Sequence, residues 1–143
     1  MPRNIYHAAL LVLLVTSVSA SASEPAPPVT VTPVARTGQT IAGQAIQLPQ
    51  KDVEVVVSTY EIAPGAVLPE HKHRYPRYAY VLAGTLIVTN LDSGQKLTFK
   101  PGDFIVESLD SWHKGASTGS ETVKLLVIDQ IEKGAETVTL RPK

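Results

Sequence analysis

The chain has 143 residues, which is enough for one compact domain and little else. Its 13 Lys and Arg residues balance 13 Asp and Glu residues, so its charge gives no reason to expect a nucleic-acid or acidic-polymer partner. The absence of cysteine excludes disulfides, thiolate metal ligands and a lipidated N-terminal cysteine, so any metal site must be built from His, Asp or Glu.

The first 22 residues have the pattern of a secretory signal peptide. Arg3 and the free amine make a weakly positive start, residues 8–15 form an uninterrupted apolar run, and small residues offer cleavage after Ala20 or Ala22. The alternative is a membrane anchor, but the apolar run is much shorter than the roughly 20 residues that span a bilayer. We therefore predict that residues 1–22 are removed and that the mature protein is periplasmic or secreted, with no membrane partner.

A proline-rich segment follows the predicted cleavage site. The density of proline in residues 23–38 is unsuited to a packed core and is typical of a linker that becomes extended toward its end. We therefore predict a linker at residues 23–38 and a folded domain at residues 39–143.

The rest of the chain has no helical pattern and consists of short β-prone runs separated by Gly, Pro, Asn and Asp turns. The strongest run, residues 53–60, is heavy in β-branched side chains. We predict strands at residues 40–48, 53–60, 78–82, 85–89, 96–99, 104–107, 112–116, 123–130 and 136–140. Short strands at near-regular spacing indicate an all-β sandwich or barrel.

Three histidines are candidates for a single metal site. His71 and His73 are separated by one residue, so on an extended strand their side chains point to the same side. His113 follows much later, and His7 lies in the predicted signal peptide, so the mature chain has only these three. Neutral imidazoles are good ligands for divalent Fe, Zn, Cu, Ni or Mn. The alternative is a polar strand that faces solvent.

The histidines lie in two motifs that resemble those of the cupin superfamily. In residues 65–84, a glycine is followed after five residues by His71 and His73, and a second glycine closes the motif. Residues 102–113 are similar to the second motif, and the short segment between the motifs is similar to that of small single-domain bacterial cupins of the quercetin dioxygenase-like type. The resemblance covers residues 53–130. It implies a jelly-roll β-barrel that forms a homodimer and holds a divalent transition metal through His71, His73 and His113.

The sequence departs from the family pattern at four positions. Arg77 occupies the position of the family's usual carboxylate ligand, and Ser108, Asp110 and Ser117 replace the usual proline, glycine and asparagine. Three neutral histidines leave the full +2 charge on the ion, which favours an anionic or enolisable substrate.

Arg77 therefore needs an explanation. A guanidinium about 5 Å from a divalent ion would be repelled by several kcal/mol at an effective dielectric constant of about 20. Either Arg77 pairs with a carboxylate such as Glu70 or Glu107, or it holds an anionic ligand, or no metal binds. Glu107 is a candidate fourth ligand, proton acceptor or substrate contact, with an exposed or Arg77-paired carboxylate as the alternative. Among the aromatic residues, Tyr75 and Tyr78 are the candidate substrate contacts.

Three functions agree with these observations. The first is a metal-dependent enzyme, a dioxygenase or isomerase, that acts on a small molecule. The second is a non-catalytic metal or small-molecule binding module of the cell envelope. The third is a structural or dimerising barrel with a residual site. The sequence contains no nucleophile motif, nucleotide loop or paired acidic dyad, so hydrolase and transferase chemistries have no support.

Overall fold

The structure, a computed structural model, describes residues 28–143, and these residues contain nine β-strands and no helix. The strands are β1 Val53–Ile62, β2 His71–Lys72, β3 Arg77–Ala83, β4 Thr85–Asn90, β5 Lys96–Phe99, β6 Phe104–Val106, β7 His113–Thr118, β8 Val123–Glu132 and β9 Thr139–Leu140. The predicted signal peptide, residues 1–22, and residues 23–27 of the predicted linker lie outside the described part. Within the described part, no helix has the length and apolar character needed to cross a membrane.

Residues 28–39 are exposed and form no strand. Residues 32–143 make up one compact unit. The linker at 23–38 stays a prediction.

The strands form two antiparallel sheets. One sheet has the order β1-β8-β3-β6, and the other has the order β5-β4-β7-β2-β9. Strands distant in sequence are neighbours in both sheets, since β1 pairs with β8 along its whole length and β2 pairs with β7. This all-β arrangement confirms the predicted jelly-roll.

The apolar core lies between the inner faces of the two sheets. In β8, the buried residues Val123, Leu125 and Val127 alternate with more exposed ones, as the two-residue period of a strand requires. The same alternation in β3 buries Ala79 and Val81. The core residues are Ile62, Ala79, Val81, Leu86, Val88, Ile105, Val123, Leu125 and Val127.

The prediction of a strand at residues 40–48 is wrong. The chain turns there instead, with Gly43 at a φ of 78°, and only one isolated bridge joins Gln39 to Ala45. Gln44 has a different role, because its amide holds both backbone groups of Leu109. Its Nε2 donates to the Leu109 carbonyl at 2.7 Å, and its Oε1 accepts from the Leu109 N–H at 2.9 Å. The segment thus fixes the loop that leads to His113.

Most of the other predicted strands differ from the observed ones in extent. The strand predicted at residues 136–140 is reduced to β9, Thr139–Leu140, and the one predicted at 112–116 runs from His113 to Thr118. Gly84, between β3 and β4, has a φ of 71°, and a Cβ there would lie 2.8 Å from backbone atoms of Thr122 and Val123. Glycine is therefore required at this turn.

Candidate metal centre

Two of the three histidines lie on paired strands of one sheet, and the third directly follows one of these strands. His71 in β2 is paired directly with His113 in β7, and His73 forms an isolated bridge to Leu109. Their ring centroids are 4.4–5.0 Å apart, and one nitrogen from each ring lies within 4.8 Å of the other two. All three are buried. The sheet therefore brings together the three side chains that the sequence singled out.

Backbone hydrogen bonds fix the orientation of each ring. In every case Nδ1 donates to a carbonyl oxygen, so the lone pair is on Nε2. The Nε2 atoms of His73 and His113 are buried and have no hydrogen-bond partner. Buried acceptors of this kind are costly unless a ligand pairs with them, and a divalent transition ion fits them. The accepting carbonyls belong to Pro69 for His71 (2.7 Å), Thr137 for His73 (2.9 Å) and Ser111 for His113 (2.9 Å).

Burial keeps the imidazoles neutral. It lowers the pKa of all three, and for His73 burial together with the Arg77 charge lowers the pKa to about 2. Because only a neutral imidazole binds a metal, the site needs no deprotonation at pH 7 before it can hold an ion.

Arg77 is held by Asp129. Its Nε donates to Oδ1 at 2.7 Å and its Nη2 donates to Oδ2 at 3.0 Å, and both side chains are buried. The ion pair that we anticipated therefore exists, but the predicted partners are wrong, since Glu70 pairs with Lys114 and Arg141. Arg77 and Asp129 are directly opposite on β3 and β8. The available sequence clue was a charged residue on the buried side of the alternating β8 pattern.

Glu107 lies beside His113. It follows β6, is 8 % exposed, and its Oε2 is 3.6 Å from Nε2 of His113. That distance is too long for a hydrogen bond, and Oε2 has no other partner. Burial raises the pKa of Glu107, although His71 and Arg77 oppose this shift. The alternative of an exposed carboxylate is therefore wrong.

A cavity of about 140 Å³ opens beside the histidines. This volume is similar to that of a cavity that holds benzene, so it suits a small organic molecule. Its polar part is formed by His71, His113, Arg77 and Glu107. The remaining lining is mostly apolar and comes from Tyr60, Leu68, Pro69, Ala79, Leu86, Val88, Gly115, Leu125, Val127, Val138 and Leu140.

The two tyrosines predicted as substrate contacts do not line this cavity. Tyr78 faces away from the core, where its ring stacks on Phe104 and its hydroxyl donates to Gln130 at 3.0 Å. The ring of Tyr75 lies next to the guanidinium of Arg74. Alternation along β3 explains the position of Tyr78, since Arg77 and Ala79 take the inward positions. Its role as a substrate contact stays a prediction, as does that of Tyr75.

The tyrosine that lines the cavity is Tyr60, which was not among the predicted site residues. It lies on the partly buried side of β1, and its ring centroid is 5.5 Å from the guanidinium carbon of Arg77. The two-residue period of β1 could have indicated which side chains share a face with Tyr60. It could not have indicated that this face borders the cavity.

The loop before His113 tolerates its unusual residues. Asp110, at the family's usual glycine position, has a φ of 48°, a left-handed conformation that Asp adopts more readily than most residues. Its N–H donates to the His73 carbonyl at 2.8 Å, and its carboxylate lies 3.3 Å from Nζ of Lys72. The loop is thus tied to the segment that contains the first two histidines.

Comparisons with known proteins agree with this geometry. A family model described as a cupin domain matches residues 58–129, about half of the chain. The polyketide cyclase RemF from Streptomyces resistomycificus is similar, with 24 % identity over 64 % of this chain and 62 % of its own, and a TM-score of 0.52. An oxalate oxidase in complex with glycolate has 22 % identity over 60 % of this chain and 45 % of its own, with a TM-score of 0.51.

A third structure, BH2720 from Bacillus halodurans, has 19 % identity over 60 % of this chain and 68 % of its own, with a TM-score of 0.51. No curated protein sequence matches the chain. The match spans less than two thirds of RemF and less than half of the oxalate oxidase. At these identities the solved structures show a shared fold.

Proposed function

The chain belongs to the cupin family, and on that premise we propose that it binds one divalent transition metal through His71, His73 and His113 and presents it to a small organic ligand. The observation that carries the proposal is the hydrogen bonding of the three imidazoles. Each Nδ1 donates a hydrogen bond to a backbone carbonyl, and the Nε2 atoms of His73 and His113 are buried near the third ring without a hydrogen-bond partner. Such an arrangement is typical of metal-ligating histidines.

The cavity supports a small-molecule ligand. Most of its lining is apolar, and the polar part comes from His71 and His113 together with Arg77 and Glu107. This is the usual composition of a small-molecule site, in which a few polar groups fix the orientation of the ligand. The proposed ligand is therefore an anionic or enolisable molecule of about benzene size, with its acidic group toward the histidines and its apolar part toward Leu86 and Leu125.

We propose dioxygenase or isomerase chemistry for this centre, of the quercetin dioxygenase-like type. A bound ion would supply Lewis-acid activation of an acidic oxygen of the ligand. The chain itself would exclude water with its apolar walls and orient the ligand. Periplasmic metal supply and the Irving–Williams order favour Cu or Zn, whereas oxygenase chemistry would require Fe. The alternative function, a non-catalytic binding module of the cell envelope, would need the same residues.

Elemental analysis tests the metal proposal. We expect the protein, purified without added metal, to carry close to one transition ion per chain, and a variant with all three histidines changed to alanine to carry none. Oxygen uptake or turnover with small β-diketones would support the enzyme, whereas tight anion binding without turnover would support the binding module. An unmetallated wild-type protein that also fails to take up Zn²⁺ or Co²⁺ would refute the proposal.

We also propose export and dimerisation. Export is supported by the pattern of residues 1–22, and N-terminal sequencing of the mature protein would test it, with a start after Ala20 or Ala22 expected. A homodimer is supported by β1, an edge strand whose side chains Val53, Val55 and Val57 are more than half exposed. Light scattering on the purified protein would give the mass of two chains, and a monomer at all concentrations would contradict this.

A further inference from the structure

Two buried acceptors face each other at the metal centre. Nε2 of His113 bears a lone pair, because the Nδ1 of that ring donates to Ser111, and it lies 3.6 Å from Oε2 of Glu107. Neither atom has a hydrogen-bond partner. Two ligand atoms that share a tetrahedral ion at bond lengths of about 2.1 Å are about 3.4 Å apart, which is close to this separation. A shared cation would satisfy both atoms.

The buried charges lead to the same conclusion. Arg77 and Asp129 cancel each other in their bidentate pair. Among the described residues that are buried around the centre, the remaining acidic side chain is Glu107. A buried carboxylate without a partner is expensive. A divalent ion held by the histidines would compensate this carboxylate, which in turn would reduce the net charge of the centre to +1.

The backbone explains how this carboxylate reaches the site. The register of β3 and β6 pairs Tyr78 with Val106, and the N–H of Glu107 donates to the carbonyl of Arg77 at 2.9 Å. Glu107 is thus the neighbour of Arg77 across the ladder. Side chains that are opposite in an antiparallel pair lie on the same face, so both line the cavity.

We propose that Glu107, the residue that follows β6, supplies the carboxylate ligand of the metal centre from the position opposite Arg77. This inference rests on the proposed function, because it assumes that the histidines hold an ion. It adds that the centre keeps one carboxylate although Arg77 occupies the usual carboxylate position. The ligands are then three nitrogen atoms and one oxygen atom.

Titration of metal-free protein with Co²⁺, followed by visible absorption and by competition with Zn²⁺, tests the assignment. The informative variant is Glu107→Gln, and the matched control is Glu70→Gln, a carboxylate that is paired with surface cations. We expect Glu107→Gln to weaken binding by about 10- to 100-fold and to change the Co²⁺ absorption bands, because a ligand atom is lost. The Glu70→Gln variant should match the wild type.

The outcomes separate this inference from the proposed function. If the wild type binds one ion and Glu107→Gln gives the same absorption bands, the ligand role of Glu107 is refuted while the histidine site stands, even if affinity falls. If the wild type binds no ion, both are refuted. Two further measurements guard against a folding defect. Metal-free Glu107→Gln should melt at or above the wild-type temperature, because an unpaired buried charge is removed, and Glu107→Asp should bind more weakly than wild type.

Discussion

Replacement of Asp129 by asparagine should destabilise the fold strongly, because it leaves the Arg77 charge buried without its partner. The two side chains are 4 % and 2 % exposed, and two hydrogen bonds of 2.7 and 3.0 Å join them. Removal of one member of a buried ion pair typically costs about 3–5 kcal/mol. At about 4 °C per kcal/mol for a unit of this size, the Tm should fall by about 12–20 °C.

The same substitution should weaken metal binding. Once Asp129 is neutral, the guanidinium of Arg77 is no longer compensated, and it would repel a cation held by the neighbouring histidines. Urea denaturation and Zn²⁺ competition would measure the two effects on the same preparation.

The double variant Arg77→Met with Asp129→Leu is the control. It replaces both charges by apolar groups of similar volume, which is often neutral or stabilising for a buried pair. We therefore expect it to recover most of the lost free energy of unfolding and of the metal affinity. The reasoning would be refuted by a single variant that loses less than about 1 kcal/mol, or by a double variant no better than the single one.

Three other substitutions or conditions give clear expectations. The unfolding free energy of the metal-free protein should fall as the pH drops below about 6.5, by up to about 1.4 kcal/mol per pH unit for each histidine. The reason is that the histidines bind protons in the unfolded state at a pH at which buried histidines such as His73 stay neutral in the folded state. The raised pKa of Glu107 acts in the opposite direction above pH 4.5 and offsets only part of this, so denaturation that is independent of pH would contradict the assignment. Gly84→Ala should lower the free energy of unfolding by more than about 1 kcal/mol, because residue 84 has a left-handed φ and a Cβ there would lie 2.8 Å from backbone atoms. Thermal melting measures this, and an unchanged Tm would contradict it. Gln44→Ala should lower the free energy of unfolding by about 1–3 kcal/mol, because the backbone N–H and carbonyl of Leu109 both lose their hydrogen-bond partner. Hydrogen exchange at the Leu109 N–H should become faster, and an unaltered exchange rate would refute this.

The sequence was most informative where a period of two residues coincided with β-branched side chains. Residues 53–60 and 123–130 lie within β1 and β8, which are long paired strands. The spacing of His71 and His73 also placed two candidate ligands on one side of the chain. His113 was found because the chain has only four histidines.

The remaining features depend on contacts that local sequence does not encode. Asp129 lies 52 residues from Arg77, and only the pairing of β3 with β8 makes them neighbours. A strand was predicted at residues 40–48, but the turn at Gly43 and the hydrogen bonds from Gln44 to Leu109 give them another conformation. Tyr78 resembles a site residue in sequence, yet the choice of inward face in β3 directs it away from the cavity.

The central claim is that three imidazoles share one cation. Titration of metal-free protein with Zn²⁺, in competition with a chromophoric chelator, measures the stoichiometry and affinity directly. The account predicts one ion per chain in the wild type, and loss of that binding in His73→Ala even though the variant remains folded. An ion that binds equally well to wild type and His73→Ala, or no ion at all, would contradict it.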